Sequence, residues 1–446
     1  MEKKENNMYV STLGEGISFR SIRETRFKNA CIAVHFLYPI ERADVTPNAL
    51  LVALLNRSCA KYPQYIELTR ALCMLYGASV HTSINNLGSC QMMTVEISFM
   101  DDRFLPGEEC VSGECADLLS EFIFRPKVGE DGFLFDEDDL AYALKNAEER
   151  IRSRINDKEE YASCRCVDIM CEGEPMTIEP GGYLEDLPNV TREELTRVWK
   201  KVLSTAQVEI ITVGGADYEP VKEIFAREFN AIDRHCVELT PLPPYKEPKE
   251  IKDVTERMDV QQSRMVMGFR LPVQEPDDMT VVCRLMSSLF GGGPTSLLFK
   301  NVREKLSLCY YCSSSYSRLC GTMYVYSGMD ESNKEKAVEE IKRQLAVIAR
   351  NEFTDDEFEA IKLFAICSLD NTKDSVGSIE SWYAFQIFDG CIRTPEQEAE
   401  RIKAVTRSQV AACASLVRLD TIYLLAPEEP VETNEPEGGK DDESCQ

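Results

Sequence analysis

Apolar and polar residues along this chain alternate in two rhythms, one helical and one extended. Residues 30–38 (ACIAVHFLY) form an unbroken apolar run, the pattern of a fully buried strand, and 47–59 reads as an apolar helix. Residues 66–76 predict a second helix with Ile66, Ala71, Leu72 and Leu75 on one face. Two strand-like runs fill 80–99, separated by Asn85-Asn86-Leu87-Gly88 as a turn. A long charged helix follows over about 136–155. Thr191-x-x-Glu194 has the spacing of a capping box, opening a helix with Leu195, Val198, Trp199 and Val202 inward, and 208–213 (VEIITV) predicts a closing strand.

The pattern then starts again. A strand is predicted at 264–271 (RMVMGFRL), a helix at 279–289 and two strands within 310–326. Ser332 or Asn333 caps a helix with Val338, Ile341, Leu345 and Ile348 at helical spacing; Thr354-x-x-Glu357 opens another with Phe358, Ile361 and Phe364 facing in. A shift of 233 positions places Phe36 on Phe269, Pro39 on Pro272, Arg70 on Arg303 and Leu75 on Leu308. A shift of 215 places Thr191-Arg192-Glu193-Glu194-Leu195 on Thr406-Arg407-Ser408-Gln409-Val410. Two copies of one α+β unit, each about 200 residues, are the reading. The expected domains are 8–235 and 254–426, joined by a Pro-, Lys- and Glu-rich linker at 236–253 that serves as a hinge, with an acidic disordered tail at 427–446.

Composition narrows the function. With 76 acidic against 50 basic side chains the formal net charge is −26, a surface that repels phosphate backbones and anionic lipids. Neither nucleic acid nor membrane is an expected partner. The N-terminus has no apolar leader segment, no run is long enough to span a bilayer, and the 18 cysteines are scattered rather than spaced as a framework, so a cytoplasmic protein with reduced thiols is expected. Cys309-x-x-Cys312 lies in an apolar strand candidate, where core packing outweighs a redox or zinc role. Cys164, Cys166 and Cys171 have no second ligand pair to complete a metal site.

Candidate chemistry gathers in the second copy. Phe290-Gly291-Gly292-Gly293-Pro294-Thr295-Ser296 lacks the Gly-Lys-Ser/Thr of a phosphate loop and the spacing of a dinucleotide fingerprint. It is either a flexible turn or a place where a substrate backbone comes close. Arg303 follows, then Tyr310 seven residues later. Each also has a plain reading, as a solvated helix residue and a half-buried strand aromatic, and Arg70 at the matching place in the first copy favours a shared structural arginine. His35, in an apolar strand, reads as a core histidine; His81 is a lone histidine.

A glycine-rich turn, then an arginine and a tyrosine seven residues on, within a duplicated chain of this length, resembles the C-terminal half of the pitrilysin/insulinase family of zinc peptidases. The resemblance covers nearly the whole chain up to the tail. It implies two homologous domains of the LuxS/mitochondrial-processing-peptidase-like fold, each a mostly antiparallel sheet packed with helices. The family's catalytic half carries H-x-x-E-H on the first helix of its N-terminal domain, two histidines for zinc and a glutamate for the bound water. Here the corresponding helix, 47–59, contains no His, Asp or Glu, and the chain's three histidines, His35, His81 and His235, include no pair at i,i+4. Glu148 and Glu149 cannot replace a third ligand when the first two are missing.

The resemblance therefore implies a zinc-site-lacking bacterial member, without a cofactor or catalytic residues of its own. Its partners would be a zinc-bearing homologous subunit and a peptide substrate. Arg303 and Tyr310 would act in trans at the partner's zinc, with Gly291, Gly292 and Gly293 lining the path of the peptide; alone, the chain could form a homodimer. Two other readings stay open: a non-enzymatic scaffold or peptide-binding protein of the same fold, and a cysteine-nucleophile enzyme, for which no Cys has an adjacent His base.

Overall fold

The computed structural model describes residues 3–5, 7–107, 109–272, 278–389 and 391–428. Pro427 closes the last strand, and the expected acidic tail lies outside the described residues from 429 onward.

The first half contains β1 (Lys3–Glu5), β2 (Met8–Gly14), β3 (Ile17–Arg23), β4 (Asn29–Pro39), α1 (Val45–Leu55), α2 (Tyr65–Met74), β5 (Ser79–Leu87), β6 (Cys90–Met100), α3 (Val111–Phe124), α4 (Glu137–Ser153), α5 (Lys158–Met170), α6 (Arg192–Thr205), β7 (Gln207–Gly214) and α7 (Glu219–Asn230). The second contains β8 (Lys252–Met258), β9 (Ser263–Arg270), α8 (Asp278–Gly291), a π-helical segment (Phe299–Lys305), β10 (Tyr311–Ser317), β11 (Thr322–Met329), α9 (Lys334–Ala349), α10 (Asp355–Asp370), α11 (Val376–Ala384), α12 (Pro395–Ala404), α13 (Arg407–Leu416) and β12 (Arg418–Pro427).

The strands form two separate sheets, ordered β1-β2-β3-β7-β4-β6-β5 and β10-β11-β9-β12-β8. Pairing is antiparallel apart from β3 with β7 and β8 with β12, which occupy matching places in the two sheets. This is the two-unit α+β architecture, and the 233-residue shift superposes β4 on β9 and α1 on α8 in sequence.

Side-chain alternation explains why β4 is apolar throughout. Ala30, Ile32, Val34 and Phe36 point into the main core beneath α1, α3 and α6. On the other face, Cys31 joins Ile22, Ile211 and Val213 in a cluster with Val376, Ile379, Tyr383 and Ala384 of α11, a helix of the second half. The second sheet repeats this in mirror order. Met265, Met267 and Phe269 face their own core, whereas Val266, Tyr324, Tyr423 and Leu425 pack on Ala162, Cys166 and Met170 of α5, a helix of the first half. Each half thus covers the outer sheet face of the other, and each large apolar side chain so buried contributes about 1.5–3 kcal/mol.

Polar pairs sit within both exchanged contacts. His35 bridges Thr94 Oγ1 (2.9 Å) and Glu380 Oε1 of α11 (2.6 Å), so it is a satisfied core histidine. Arg270, 5% exposed, donates to Glu174 Oε1 (2.7 Å), Asp420 Oδ2 (2.8 Å) and the Met170 carbonyl (2.7 Å), which closes the last turn of α5.

Local differences from the sequence reading have simple causes. β8 begins at Lys252, where alternating exposed and half-buried positions along an edge strand hide it from an apolar scan. Residues 231–251 contain no strand or helix, yet they are strapped down: Ser89 N–H donates to the Pro241 carbonyl (2.9 Å), and Leu239 and Leu242 pack with Leu37, Leu87, Met92 and Leu319. In α2 only Leu68 is buried, and Ile66 is 54% exposed rather than inward. Phe364 likewise lies at the surface of α10, while Phe358 and Ile361 are buried as expected. Thr354 and Glu357 form the full reciprocal capping box; Thr191 makes its half of one by accepting from Glu194 N–H.

Candidate functional site

Arg303 and Tyr310 are brought together by one short stretch of chain. α8 gives way to the π-helical segment carrying Arg303, whose guanidinium lies 4.5 Å from the centre of the Phe299 ring and 3.7 Å from Glu304. Ser307, with φ 49°, turns the chain back. Leu308 N–H then donates to the Val302 carbonyl (3.0 Å) and Tyr310 N–H to the Gly328 carbonyl (2.8 Å). Those two bonds fix Tyr310 at the entry to β10, an edge strand of its sheet.

Both side chains border an open cavity of about 380 Å³, with Glu304, Ser307, Leu308, Cys309, Asp330 and Asn333. Tyr310 is 58% exposed, and its hydroxyl donates to Asp330 Oδ1 (3.2 Å). The Asp330 charge raises the phenol above its ordinary value. A cation and a protonated hydroxyl beside an edge strand can bind and polarise a peptide carbonyl.

The three glycines lie apart from this cavity and serve contacts within the chain. A Cβ on Gly291 would stand 2.6 Å from Ser314 N of β10, and one on Gly292 would stand 2.5 Å from Ser288 Cα. A Cβ on Gly293 would stand 3.0 Å from the Phe364 ring, which explains the position of that ring.

In the first half the place of a zinc helix is taken by α1, buried at every residue except Ala53. Leu50, Leu51 and Leu54 share one core with Ala143 and Ala147 of α4, so hydrocarbon fills the region between these helices. The polar residues of α1 are occupied in structural bonds: Thr46 donates to Asp186 Oδ2 (2.5 Å) and Asn48 to Gln91 Oε1 (3.2 Å). Glu148 is paired with Arg152 (2.8 Å), His81 is exposed on β5, and exposed His235 lies 3.7 Å from Asp233. These residues do not fit a zinc ion of the H-x-x-E-H kind. Among the described residues no group of three or more His, Cys, Asp or Glu is placed to hold a metal, and no helix is long and apolar enough to cross a membrane.

Residues 189–363 match the Peptidase M16 inactive domain family. Across 92% of its length the chain is 26% identical to the probable inactive metalloprotease YmfF of Bacillus subtilis, covering 96% of that protein. The chain is similar to inactive-type members of the pitrilysin (M16) family. A conserved protein of Enterococcus faecalis has a similar structure over 95% of this chain and 99% of its own, with a TM-score of 0.86 at 25% identity. The periplasmic protease PqqL of Escherichia coli shares the fold at 12% identity with a TM-score of 0.73; the match covers 96% of this chain but 46% of that one. In keeping with that similarity, α1 carries no His, Asp or Glu.

The sequence offers Arg303 and Tyr310 as candidates but not the residues across the cavity. Asp330 and Asn333 come from the turn after β11; Asn333 reads in sequence only as a helix-cap candidate, and nothing local marks either as lining a site. The Arg270–Glu174–Asp420 cluster was also invisible, because its members are separated by 96 and 150 positions. An arginine inside an otherwise apolar strand was the one available signal.

Proposed function

We propose that this chain is the substrate-binding, non-catalytic subunit of a two-chain zinc peptidase. The observation that carries the reading is a division within the molecule. α1 is sealed with hydrocarbon, whereas Arg303 and Tyr310 are presented to an open cavity beside an unpaired strand edge. An extended peptide would add to the free edge of β10 through main-chain hydrogen bonds, past the turn at Gly291–Gly292–Gly293. Tyr310 would donate to the oxygen of the scissile carbonyl as it gains charge, and Arg303 would hold that carbonyl or orient Tyr310. The zinc, supplied by the partner, would provide the activated water. That PqqL is roughly twice the length matched by this chain supports a complement of a second such unit. The described cysteines are all free thiols, which favours a cytoplasmic setting, and without its partner the chain could pair with itself.

Co-expression with a zinc-bearing homologue from the same genome tests the reading. The pair cleaves an unfolded peptide that neither chain cleaves alone. Tyr310→Phe lowers kcat by about 100-fold, the effect of losing one oxyanion donor worth roughly 3 kcal/mol, with association unchanged. Wild-type activity in the mixed Tyr310→Phe pair would remove Tyr310 from the chemistry.

A further inference from the structure

β10 runs from Tyr310 at one end to Arg318 at the other, and a second cavity of about 290 Å³ opens at the Arg318 end between α8, α11 and α12. It shares no residue with the Arg303–Tyr310 cavity. From 280 to 287 every residue of α8 is buried except Arg284, which lines this cavity with 42% of its side chain open. A guanidinium carries five N–H donors. Arg284 spends one of them, from Nη1 to Glu398 Oε1 (3.2 Å), and among the described residues the others meet no protein acceptor. Burial, opposed by Glu398 and joined by the Arg318 charge, pushes Arg284 below the ordinary arginine range, the mark of a charge that its neighbours compensate incompletely.

The carboxylates of the wall are already engaged. Glu398, 4% exposed, also accepts from Arg401 Nη1 through Oε2 (2.9 Å), and Asp389 accepts from Arg318. The opposite wall is aromatic and held in place. Trp382 donates its indole N–H to the Arg393 carbonyl (2.8 Å), and Gln386 Oε1 ties down the same loop by accepting from Arg393 N–H (2.9 Å). Phe385 lines the cavity beside them and is exposed.

These groups define a ligand chemistry. A planar fork with unspent N–H groups suits a carboxylate or a phosphate. Glu398 and Asp389 both act on Arg284 and repel a second negative charge, which favours a monoanion over a dianionic phosphate. The aromatic wall suits a ring. At about 30 Å³ per water the cavity holds about ten waters, comparable to a ring with a short acid arm.

We propose that this cavity binds a small aryl carboxylate, with the acid group on Arg284 and the ring against Trp382 and Phe385. Either a free aryl acid or the C-terminal aromatic residue of a peptide presents that group. The site is independent of the two-chain peptidase reading, since it needs only this chain.

The test titrates the full-length chain by calorimetry with phenylacetate for the free acid and N-acetyl-phenylalanine for the peptide terminus. Each is compared with its amide and with phenyl phosphate. Tryptophan fluorescence gives a second readout at Trp382, because the other tryptophan of the chain, Trp199, is buried in the first core. At least one acid binds at least about 10-fold tighter than its amide and than phenyl phosphate, and the tighter acid identifies the source. Arg284→Gln weakens that acid by at least about 10-fold. Phe385→Ala, at an exposed position, narrows the preference for phenylacetate over acetate. The proposal fails if neither acid reaches that margin, or if Arg284→Gln falls short of that loss. Where Arg284→Gln folds poorly, the comparison of acid with amide on the wild-type chain decides alone.

Discussion

Replacing Arg270 with methionine keeps the length of the side chain and removes its charge, which isolates what the buried guanidinium does. Glu174 and Asp420, each 5% exposed, then lose their main counter-ion. Removing one partner of a buried ion pair costs about 3–5 kcal/mol. Each carboxylate keeps a secondary contact, Glu174 with half-exposed Lys246 (3.3 Å) and Asp420 with the Thr421 hydroxyl (2.8 Å), which places the electrostatic loss at the low end, near 3 kcal/mol. The Met170 carbonyl at the end of α5 also loses its donor, adding about 1 kcal/mol. The expected total is about 4 kcal/mol. Urea unfolding followed by circular dichroism measures it, and hydrogen exchange at residues 158–171 shows whether α5 loosens first. The triple variant Arg270→Met, Glu174→Gln, Asp420→Asn recovers more than half of the loss, because no buried charge is left unpaired. A single variant that loses under about 1 kcal/mol, or a triple variant no better than the single, refutes the account.

Three further substitutions probe other parts of the fold. Glu209, 4% exposed and 2.7 Å from Arg20, is pushed up from 4.5 to about 7 by burial, with Arg20 opposing. The folded state thus holds a proton that the unfolded state has lost, so this group's contribution to stability is full below about pH 4.5 and falls as the pH rises toward 7, by about 3 kcal/mol. Glu209→Gln shrinks the difference between urea midpoints at pH 5 and pH 8, and an unchanged difference argues against the raised carboxyl. Gly291→Ala drives a methyl against the Ser314 backbone and costs about 1–3 kcal/mol. Gly293→Ala meets only the Phe364 ring, which can swing outward, and costs less; equal losses in thermal unfolding would contradict this packing.

What could be read from the sequence followed the range over which each signal acts. The apolar run of β4, the oily α1 and the capping box at Thr354 are local, and each appears where expected. The duplicated order of elements was visible because both copies kept their core positions, as with Phe36 and Phe269. α5 and α11 were missed for a physical reason. Lys158–Met170 mixes charged residues with Ala162, Cys166 and Met170, a stripe whose meaning depends on a sheet contributed by the distant half. The candidate site divided in the same way: Arg303 and Tyr310 belong to one local stretch, while Asp330 and Asn333 arrive through the β10–β11 hairpin. The triple glycine showed that something comes close, but Ser314, Ser288 and Phe364 are identifiable only in three dimensions.

The trade of α5 for α11 makes the repeats mutual lodgers. Cut anywhere along 231–251, the polypeptide would yield two pieces, each with one bare greasy sheet and one homeless helix. Neither piece could shed that burden except by finding the other. A gene of this kind resists fission into independent halves, and a second copy of either repeat, swapped in from a relative, would have to bring its borrowed helix along.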